Sequence, residues 1–498
     1  MSDSASHPLP LTGTAGERAR LAVRERGYAV AVWVGSATWA LAVFAIARDR
    51  YLDFRYARYD LGNMVQAVWS TAHGRPLENT DAAGEQVVRL GGHVDPILAT
   101  LAPLWVVFPS PLTLAAVQVA AVALGAVPVF WLGRRHLDSE GMAALLALAY
   151  LAYPWIAWSA VDTFHPVTLA IPLFLLCIWF LEDDRLVPFT VCAIAAALTG
   201  ELMGATIAAL GIWYALAHGR RLAGVAIALC GVGWTWFALS VIVPAFSGGE
   251  SIFYGAYERV GGSPLGVLKT TVTDPGAIVA EATGSHDLLY VVLLGAPLCG
   301  LFLLAPGLAA VALPALAANV LAAREHTTDP HVHYISAIVP FLFAATAVGL
   351  ARLSPPARSR AIGVVATVCL AATVAVGPWP GSLLGASDWD GRGTIDTSPK
   401  HVHALDSAVA LVPSDASVSA TNRLGSHLSA RRRIFSAPFV GSADWVVLDM
   451  SDPWTPDRFG GSSDPEDLLA LRQRLEASRS WQSLYDVDGV LVFERETR

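Results

Sequence analysis

The chain has 498 residues, of which 54% are hydrophobic and only 15% are charged. A soluble protein of this length carries about a quarter charged residues, so the composition excludes an ordinary soluble domain and indicates an integral membrane protein. The net charge is −8 at pH 7, and the sequence has no basic stripe and no phosphate-binding glycine loop. We therefore expect no nucleic-acid partner.

About eleven apolar segments are long enough to cross or deeply enter a bilayer. The sequence therefore predicts a membrane all-α fold between a cytoplasmic N-terminal tail, 1–27, and a soluble C-terminal domain, 379–498. Within the transmembrane domain, 28–378, the predicted spans are 28–47, 112–133, 142–158, 166–181, 187–200, 202–217, 222–246, 287–304, 306–323, 334–351 and 361–378.

The first external loop, 48–111, is predicted to hold two helices at the membrane interface. Asp60 is a candidate N-cap of the first helix, and Gly74 is its candidate C-terminal stop. Gln66 and His73 recur near helical spacing among apolar neighbours, which is typical of an amphipathic interfacial helix. Residues 96–108 are apolar but short, and they suit a second interfacial helix better than a span.

The stretch 187–217 is too long for one span and too short for two. As one helix it would be roughly 46 Å long, against a hydrocarbon core of about 30 Å. Thr199-Gly200-Glu201 interrupts it near the middle. We therefore predict two short helices that meet at a turn holding Glu201. Such non-helical backbone is tolerated at depth only where it lines a cavity or is buried in protein.

The composition changes after Pro380, where charged, serine-rich and glycine-rich sequence begins. Strand-like runs lie at 417–420, 445–448 and 489–493, and a helix is predicted from Pro465 to Ala477. Asp488-Gly489 predicts a hairpin turn between two strands. This part of the chain is therefore predicted to form a small α/β domain outside the membrane.

Arginines in the short loops predict the orientation, because positive charge favours the cytoplasmic side. The pattern predicts a multi-pass protein of the plasma membrane with a cytoplasmic N-terminus and an extracytoplasmic C-terminal domain. The loop 48–95 also carries arginines on the proposed outside, but long loops are translocated with less regard to charge. If the spans alternate, one side collects Arg18, Arg20, Arg24, Arg26, Arg134, Arg135, Arg185, Arg220, Arg221, Arg352, Arg358 and Arg360.

Acids and histidines gather near the other predicted membrane face, which indicates a reaction centre there. Asp60 is the candidate catalytic residue, because a carboxylate at the surface can take a proton from an acceptor hydroxyl or bind a cation. Its alternative role is that of a helix cap alone. Glu201 lies in an apolar stretch, where an unpaired carboxylate costs about 3 kcal/mol.

Other polar residues near this face are candidates for binding substrate or a metal ion. A divalent metal is a candidate cofactor, with His93, Asp95 and His165 as candidate ligands, although no spacing matches a zinc pattern. Arg324 could clamp a lipid phosphate or belong to a solvated loop. The predicted substrate-binding residues are Gln66, His73, His93, Asp162, His165, Glu201, Arg324, His331, His333 and Tyr334.

Several short motifs resemble a bacterial and archaeal family of predicted multi-pass membrane proteins of unknown function. The resemblance covers about residues 50–498 and is fairly specific in combination. It rests on Tyr59-Asp60-Leu61-Gly62, Gln66-Ala67-Val68-Trp69, Thr71-Ala72-His73-Gly74-Arg75-Pro76, His93 with Pro96, Phe108-Pro109-Ser110-Pro111, Phe164-His165-Pro166, His333-Tyr334, Val418-Ser419-Ala420-Thr421-Asn422 and His427-Leu428-Ser429.

Three departures from the family pattern affect the site. Gly200 and Leu202 flank Glu201 where the family has Lys-Glu-Asp, so no phosphate-binding lysine stands at 200. Thr163 precedes Phe164-His165-Pro166 where an aspartate is usual, with Asp162 one place earlier. Asp95 stands where a serine is usual.

The layout of this family is similar to that of the GT-C glycosyltransferases. That likeness implies a GT-C-like arrangement of spans, a polyprenyl-phosphate-linked sugar as donor, and Asp60 as the general base or the acid that aligns the acceptor. The acceptor stays unknown. The leading hypothesis is inverting glycosyl transfer at the external membrane face. The alternatives are a non-catalytic transporter or flippase for lipid-linked glycans, whose broken helices the segment around Glu201 would suit, and a scaffold in envelope assembly.

Overall fold

The computed structural model describes residues 15–249, 251–383, 396–455, 462–463 and 465–496. Residues 1–14 of the predicted N-terminal tail and residues 384–395 of the predicted C-terminal domain lie outside these ranges. The helices of the membrane part, in chain order, are α1 (Ala15–Leu52), α2 (Asn63–Ala72), α3 (Ala102–Val107), α4 (Pro111–Leu124), α5 (Ala126–His136), α6 (Glu140–Leu151), α7 (Pro154–Val161), α8 (Ala170–Glu182), α9 (Leu186–Ala197), α10 (Met203–Ala217), α11 (Arg221–Phe237), α12 (Val243–Ser247), α13 (Pro264–Thr273), α14 (Pro275–Ala282), α15 (Ser285–Gly295), α16 (Pro306–Ala309), α17 (Leu313–Val320), α18 (Val339–Ala351) and α19 (Pro355–Val376).

Among the described residues, four helical stretches are long and apolar enough to cross a membrane: Arg26–Leu52, Pro111–His136, Arg221–Ser247 and Pro355–Val376. Two bent pairs, α6 with α7 and α14 with α15, would raise the number to six. The other apolar helices are shorter, between 10 and 17 residues. The protein is therefore a mostly helical membrane protein, and the count of about eleven spans stays a prediction.

Large apolar side chains on α11 point away from the protein, as lipid-facing residues do. Leu222, Leu229 and Trp236 are 87%, 67% and 62% exposed. The inner face of the bundle is instead closed by aromatic packing, in which the Phe343 ring lies edge-on to Tyr150 and Tyr153 at 5.2 and 5.4 Å. Aromatic side chains are buried inside the bundle and apolar side chains are exposed on its outside. This pattern is expected where lipid, rather than water, surrounds the protein.

The segment around Glu201 is broken as predicted. Helix α9 ends at Ala197 and α10 begins at Met203, so Glu201 lies in the turn between two short helices. Helix α10 packs against α11 through glycines. A Cβ at Gly211 would lie 2.6 Å from the Ala228 nitrogen, so only glycine permits this approach.

The first loop folds as a helix, a small hairpin and a second short helix. A π-helical turn, Arg58–Gly62, runs directly into α2, and the two-stranded hairpin is formed by β1 (Glu78–Thr80) and β2 (Gln86–Val88). Ala57 is the N-cap residue of the π-helical turn, so the predicted capping role of Asp60 is wrong. Asp60 lies inside that turn. The second predicted interfacial helix is present as the 3₁₀ turn Pro96–Leu101 followed by α3.

The C-terminal part folds as a small α/β domain around a five-stranded sheet. Its elements are α20 (Pro399–Leu411), β3 (Val418–Ala420), α21 (Asn422–His427), β4 (Ile434–Ser436), β5 (Trp445–Asp449), β6 (Trp454–Thr455), β7 (Ser462–Ser463), α22 (Pro465–Ala477), β8 (Trp481–Val487) and β9 (Val490–Arg495). The strand order of the sheet is β4-β3-β5-β9-β8, with β3 parallel to β4 and β5, and with β9 antiparallel to β5 and β8.

This domain is docked on the start of the first loop. The fully buried Arg58 guanidinium donates hydrogen bonds of 2.7 to 2.8 Å to Ser436 Oγ and to the carbonyls of Thr80 and Ile434. Gly425 of α21 lets the Arg58 side chain approach closely, since a Cβ there would lie 2.8 Å from the Arg58 Cβ. The first loop and the C-terminal domain thus form one structural unit.

Candidate active site

Asp162, His165 and His333 meet at the end of the bundle on which the first loop lies. The Asp162 Oδ2 atom lies 3.3 Å from Nδ1 of His333 and 3.8 Å from Nδ1 of His165. The two imidazole rings are stacked, with centroids 3.4 Å apart. The ligand atoms of all three residues lie within 4.8 Å of one another, so this group could hold a metal ion.

A buried glutamine of α4 fixes the loop that carries Asp162 and His165. The Gln118 side chain is 1% exposed. Its oxygen accepts the His165 backbone N–H at 2.8 Å and its amide donates to the Asp162 carbonyl at 3.0 Å. Sequence reasoning did not single out Gln118, although an amide inside an apolar span is a signal, because such a side chain needs partners.

Both histidines of this cluster are neutral at pH 7. Burial, together with the adjacent His333 ring, lowers the pKa of His165 to about 4, against the opposing charges of Asp162 and Asp60. Burial also lowers the pKa of His333 to about 3, against the opposing charge of Asp60. Neutral imidazoles can accept protons, accept hydrogen bonds or bind cations.

Asp60 belongs to the same site. Asp60 lies in the π-helical turn that leads into α2, and its side chain is half-buried. Coulombic interactions link its carboxylate to His165, His333 and Tyr334. The predicted catalytic acid and the predicted histidine cluster are therefore neighbours in space, although more than 100 residues separate them in sequence.

Glu201 and His93 form a second pair next to the cluster of Asp162, His165 and His333. The His93 Nδ1 atom lies 3.3 Å from Glu201 Oε1, and the Val94 N–H donates to Glu201 Oε2 at 3.1 Å. The His93 ring stacks on Phe253 at 4.4 Å. Since His93 also interacts electrostatically with His333, the pair around Glu201 adjoins the Asp162 cluster.

Arg324 supplies positive charge at this end of the bundle. Its guanidinium carbon lies 5.8 Å from the centre of the Phe253 ring, on which His93 also stacks. It interacts electrostatically with Tyr334, as do Asp60 and Asp162. The predicted residues Arg324 and Tyr334 are thus both brought to the site.

Four other predicted site residues lie elsewhere or have structural partners. Gln66 is fully buried and bonds Thr80 and the carbonyls of Arg431 and Arg432, so it ties the first loop to the C-terminal domain. The His73 ring packs on Trp69 beside a separate cavity of about 390 Å³. Asp95 forms an ion pair of 2.8 Å with the buried Arg89, and the His331 ring nitrogen lies 2.6 Å from the Asp329 carboxylate.

A family model described as "Predicted membrane protein (DUF2079)" matches residues 50–492. The chain belongs to this family. All of the DUF2079 site residues described above fall inside the matched range, which also includes most of the C-terminal domain. A comparison with curated proteins finds no match.

Two solved structures are similar in layout to this DUF2079 protein. One is ArnT from Cupriavidus metallidurans bound to undecaprenyl phosphate, with 15% identity and a TM-score of 0.49 over 92% of this chain and 97% of that chain. The other is the apo state of ArnT from Cupriavidus metallidurans, with 16% identity and a TM-score of 0.47 over 93% of this chain and 98% of that chain.

The DUF2079 site combines carboxylates, imidazoles and guanidinium groups at the end of the transmembrane bundle. The side chains of His165 and Glu201 keep 14% and 16% exposure. Groups of this kind can take a proton from a hydroxyl, bind a cation and pair with a phosphate.

Proposed function

We propose that this DUF2079 protein is a membrane glycosyltransferase with a GT-C-like arrangement of spans. In this proposal it transfers a sugar from a polyprenyl-phosphate donor to an acceptor hydroxyl at the extracytoplasmic face. The observation that carries the proposal is that Asp60, Asp162, His165 and His333 adjoin one another at the end of a lipid-embedded bundle.

Asp60 is the proposed general base. Its carboxylate takes the proton of the acceptor hydroxyl while the hydroxyl oxygen bonds to the anomeric carbon of the donor sugar. The bond between that carbon and the phosphate oxygen breaks with inversion, and the polyprenyl phosphate leaves with the bonding electrons. Asp60 suits this role because it is half-buried and still lies beside the other polar groups.

The donor phosphate is proposed to lie near Arg324. A guanidinium pairs with phosphate oxygens in a bidentate manner, and Arg324 lies among His93, Phe253 and Tyr334. A donor anchored in the bilayer suits a site at the end of the transmembrane helices, because the lipid tail can remain among the exposed apolar side chains while the sugar enters the polar cluster.

The test is sugar transfer by the purified protein in lipid nanodiscs. Wild type is supplied with labelled polyprenyl-phosphate sugars and a panel of hydroxyl acceptors, and Asp60→Asn is compared with Asp53→Asn. Asp53 is the matched control, since it lies in the same loop with 44% of its side chain exposed. We expect transfer by wild type and D53N, and at least a hundredfold loss in D60N.

Two results would contradict this assignment. Transfer that D60N leaves intact would remove Asp60 as the base. If the lipid-linked sugar moves between leaflets and is transferred to none of the acceptors, the protein is instead a transporter of lipid-linked glycans. The broken helix at Glu201 would then be the relevant feature. Circular dichroism and thermal unfolding of D60N show whether the variant is folded.

A further inference from the structure

We propose that Asp162, His165 and His333 together bind one divalent cation and, resting on the function proposed above, that this cation faces the phosphate of the donor lipid. The cation site is a property of the fold and is testable without any sugar substrate. The three residues come from two separate loops, one after α7 and one before α18, so only the folded bundle assembles them.

The three ligands are close enough to share an ion after a small movement of His165. Two ligand atoms on one cation with bonds of about 2.1 Å lie roughly 3.0 to 3.5 Å apart. The Asp162 oxygen is 3.3 Å from the His333 nitrogen, within that range, and the ligand atoms of all three residues lie within 4.8 Å of one another. The contact between Asp162 and His333 needs a proton between nitrogen and oxygen to be attractive, and a cation can replace that proton.

The surrounding backbone holds the ligands as metal sites usually do. Nδ1 of His165 donates a hydrogen bond of 2.8 Å to the Thr163 carbonyl, which orients the ring and makes Nε2 the nitrogen that would bind a cation. Gln118 fixes both ends of the loop from Asp162 to His165. Outer partners of this kind fix ring orientation and raise metal affinity.

The balance of charge favours a cation here once a phosphate is present. Asp60 and Asp162 place two carboxylates beside His165 and His333, and Glu201 adds a third beside His93. Arg324 and the buried Arg50 supply two guanidinium groups nearby. A phosphate would add further negative charge to this half-buried group, where like charges repel strongly. A divalent ion between the carboxylates and the phosphate would remove that repulsion.

Two imidazoles and one carboxylate select first-row ions over calcium. Imidazole suits transition metals, whereas calcium prefers a shell made of oxygens. By the usual order of affinities, Zn²⁺ binds such a site more tightly than Mn²⁺. Mn²⁺ is nevertheless the better probe, since its electron spin reports directly on bound nitrogen.

The experiment uses the full chain in nanodiscs, freed of metal with a chelator and titrated with Mn²⁺. Free Mn²⁺ is followed by electron paramagnetic resonance, and pulsed spectra of the bound ion detect imidazole nitrogen. The variants are Asp162→Asn and His333→Gln. The matched control is Asp488→Asn, because Asp488 belongs to the other group in the described residues that could hold a metal, with Asp396 and His401.

We expect saturable Mn²⁺ binding with nitrogen coupling in wild type and in D488N, at least tenfold weaker binding in D162N and H333Q, and displacement of Mn²⁺ by Zn²⁺. The proposal is overturned if wild type shows no saturable Mn²⁺ binding. It is also overturned if the nitrogen coupling is lost in D488N and persists in D162N. Wild type without saturable binding overturns the proposal even if a variant misfolds. Metal binding without transfer would reject the proposed function alone.

Discussion

The backbone N–H of Tyr59 donates a hydrogen bond of 3.3 Å to the side-chain oxygen of Asn422. Tyr59 directly precedes Asp60, and Asn422 begins α21 of the C-terminal domain. A residue of the C-terminal domain therefore holds the backbone that carries the proposed base. The C-terminal domain thus supports the backbone of the site.

We predict that Gly425→Leu separates the C-terminal domain from the first loop. The new side chain would meet Arg58, whose Cβ is 2.8 Å from the position of a Cβ at 425. Overpacking of this kind costs about 1 to 3 kcal/mol. Hydrogen exchange should become faster over the first-loop helix, and transfer should fall. Gly363→Leu is the control, since a Cβ at 363 meets nothing within 4 Å, and unchanged exchange in G425L would contradict the docking role.

We predict that acid weakens this docking through His427. The His427 ring stacks between Tyr51 and Phe54 at 4.1 and 3.9 Å, and burial lowers its pKa to about 3. A histidine with a lowered pKa stabilises the folded state above its unfolded pKa of about 6.5, and the stabilisation is lost as the pH falls through that value. Between pH 7 and pH 5 the loss is about 2 kcal/mol.

The measurement is thermal unfolding of the protein at pH 7 and pH 5, with His427→Gln alongside. Glutamine does not titrate, so this variant should lose most of the pH dependence while starting from a lower stability. His403→Gln is the control, because His403 lies on the exposed part of α20. Equal pH dependence in H427Q and wild type would exclude His427 as the group responsible.

We predict that Gln118→Leu loosens the loop that carries Asp162 and His165. The substitution leaves the His165 N–H and the Asp162 carbonyl without their partners, at about 1 to 3 kcal/mol for each buried group. Transfer should fall at least tenfold even where the variant is folded. Thr113→Ala is the control in the same helix, since the Thr113 hydroxyl bonds only at the exposed start of α4. Full activity in Q118L would show that the loop holds its shape alone.

We predict that Glu201→Gln lowers kcat and leaves the fold intact. The amide oxygen can still accept from the Val94 N–H, but the charge that faces His93 is lost. A loss of about 1.4 kcal/mol of transition-state stabilisation is a tenfold fall in rate. Glu140→Gln is the control, because Glu140, the first residue of α6, pairs with Arg134 in the last turn of α5 and not with a residue of the site. A change in KM alone would mean that Glu201 binds substrate and takes no part in the reacting state.

Sequence predicted the features that depend on local chemistry. The hairpin at Asp488-Gly489 joins β8 to β9, with φ of 55° and 78° at the two turn residues. The helix Pro465–Ala477 has the predicted bounds. The turn at Glu201 also lies where predicted, because the apolar length on each side left no other solution.

Sequence could not predict which polar residues would satisfy one another. Gln66 matches the helical spacing of a substrate-facing residue, but its partners Arg431 and Arg432 follow 365 and 366 residues later. Asp95 was a candidate metal ligand, and only the folded loop shows Arg89 turned onto it. The spacing of residues in the sequence predicts which face of a helix they share, whereas their hydrogen-bond partners depend on the tertiary structure.

The hydrogen bond between Arg58 and Ser436 joins residues 378 positions apart. At about 5 to 20 residues per second, a ribosome makes the second residue roughly 20 to 75 s after the first. During that interval the first loop carries a guanidinium whose final partners have not yet been synthesised, and water or lipid headgroups must solvate it. The proposed base therefore acquires its mature surroundings only after the spans have been inserted, and a nascent chain has no complete site with which to act on membrane lipids prematurely.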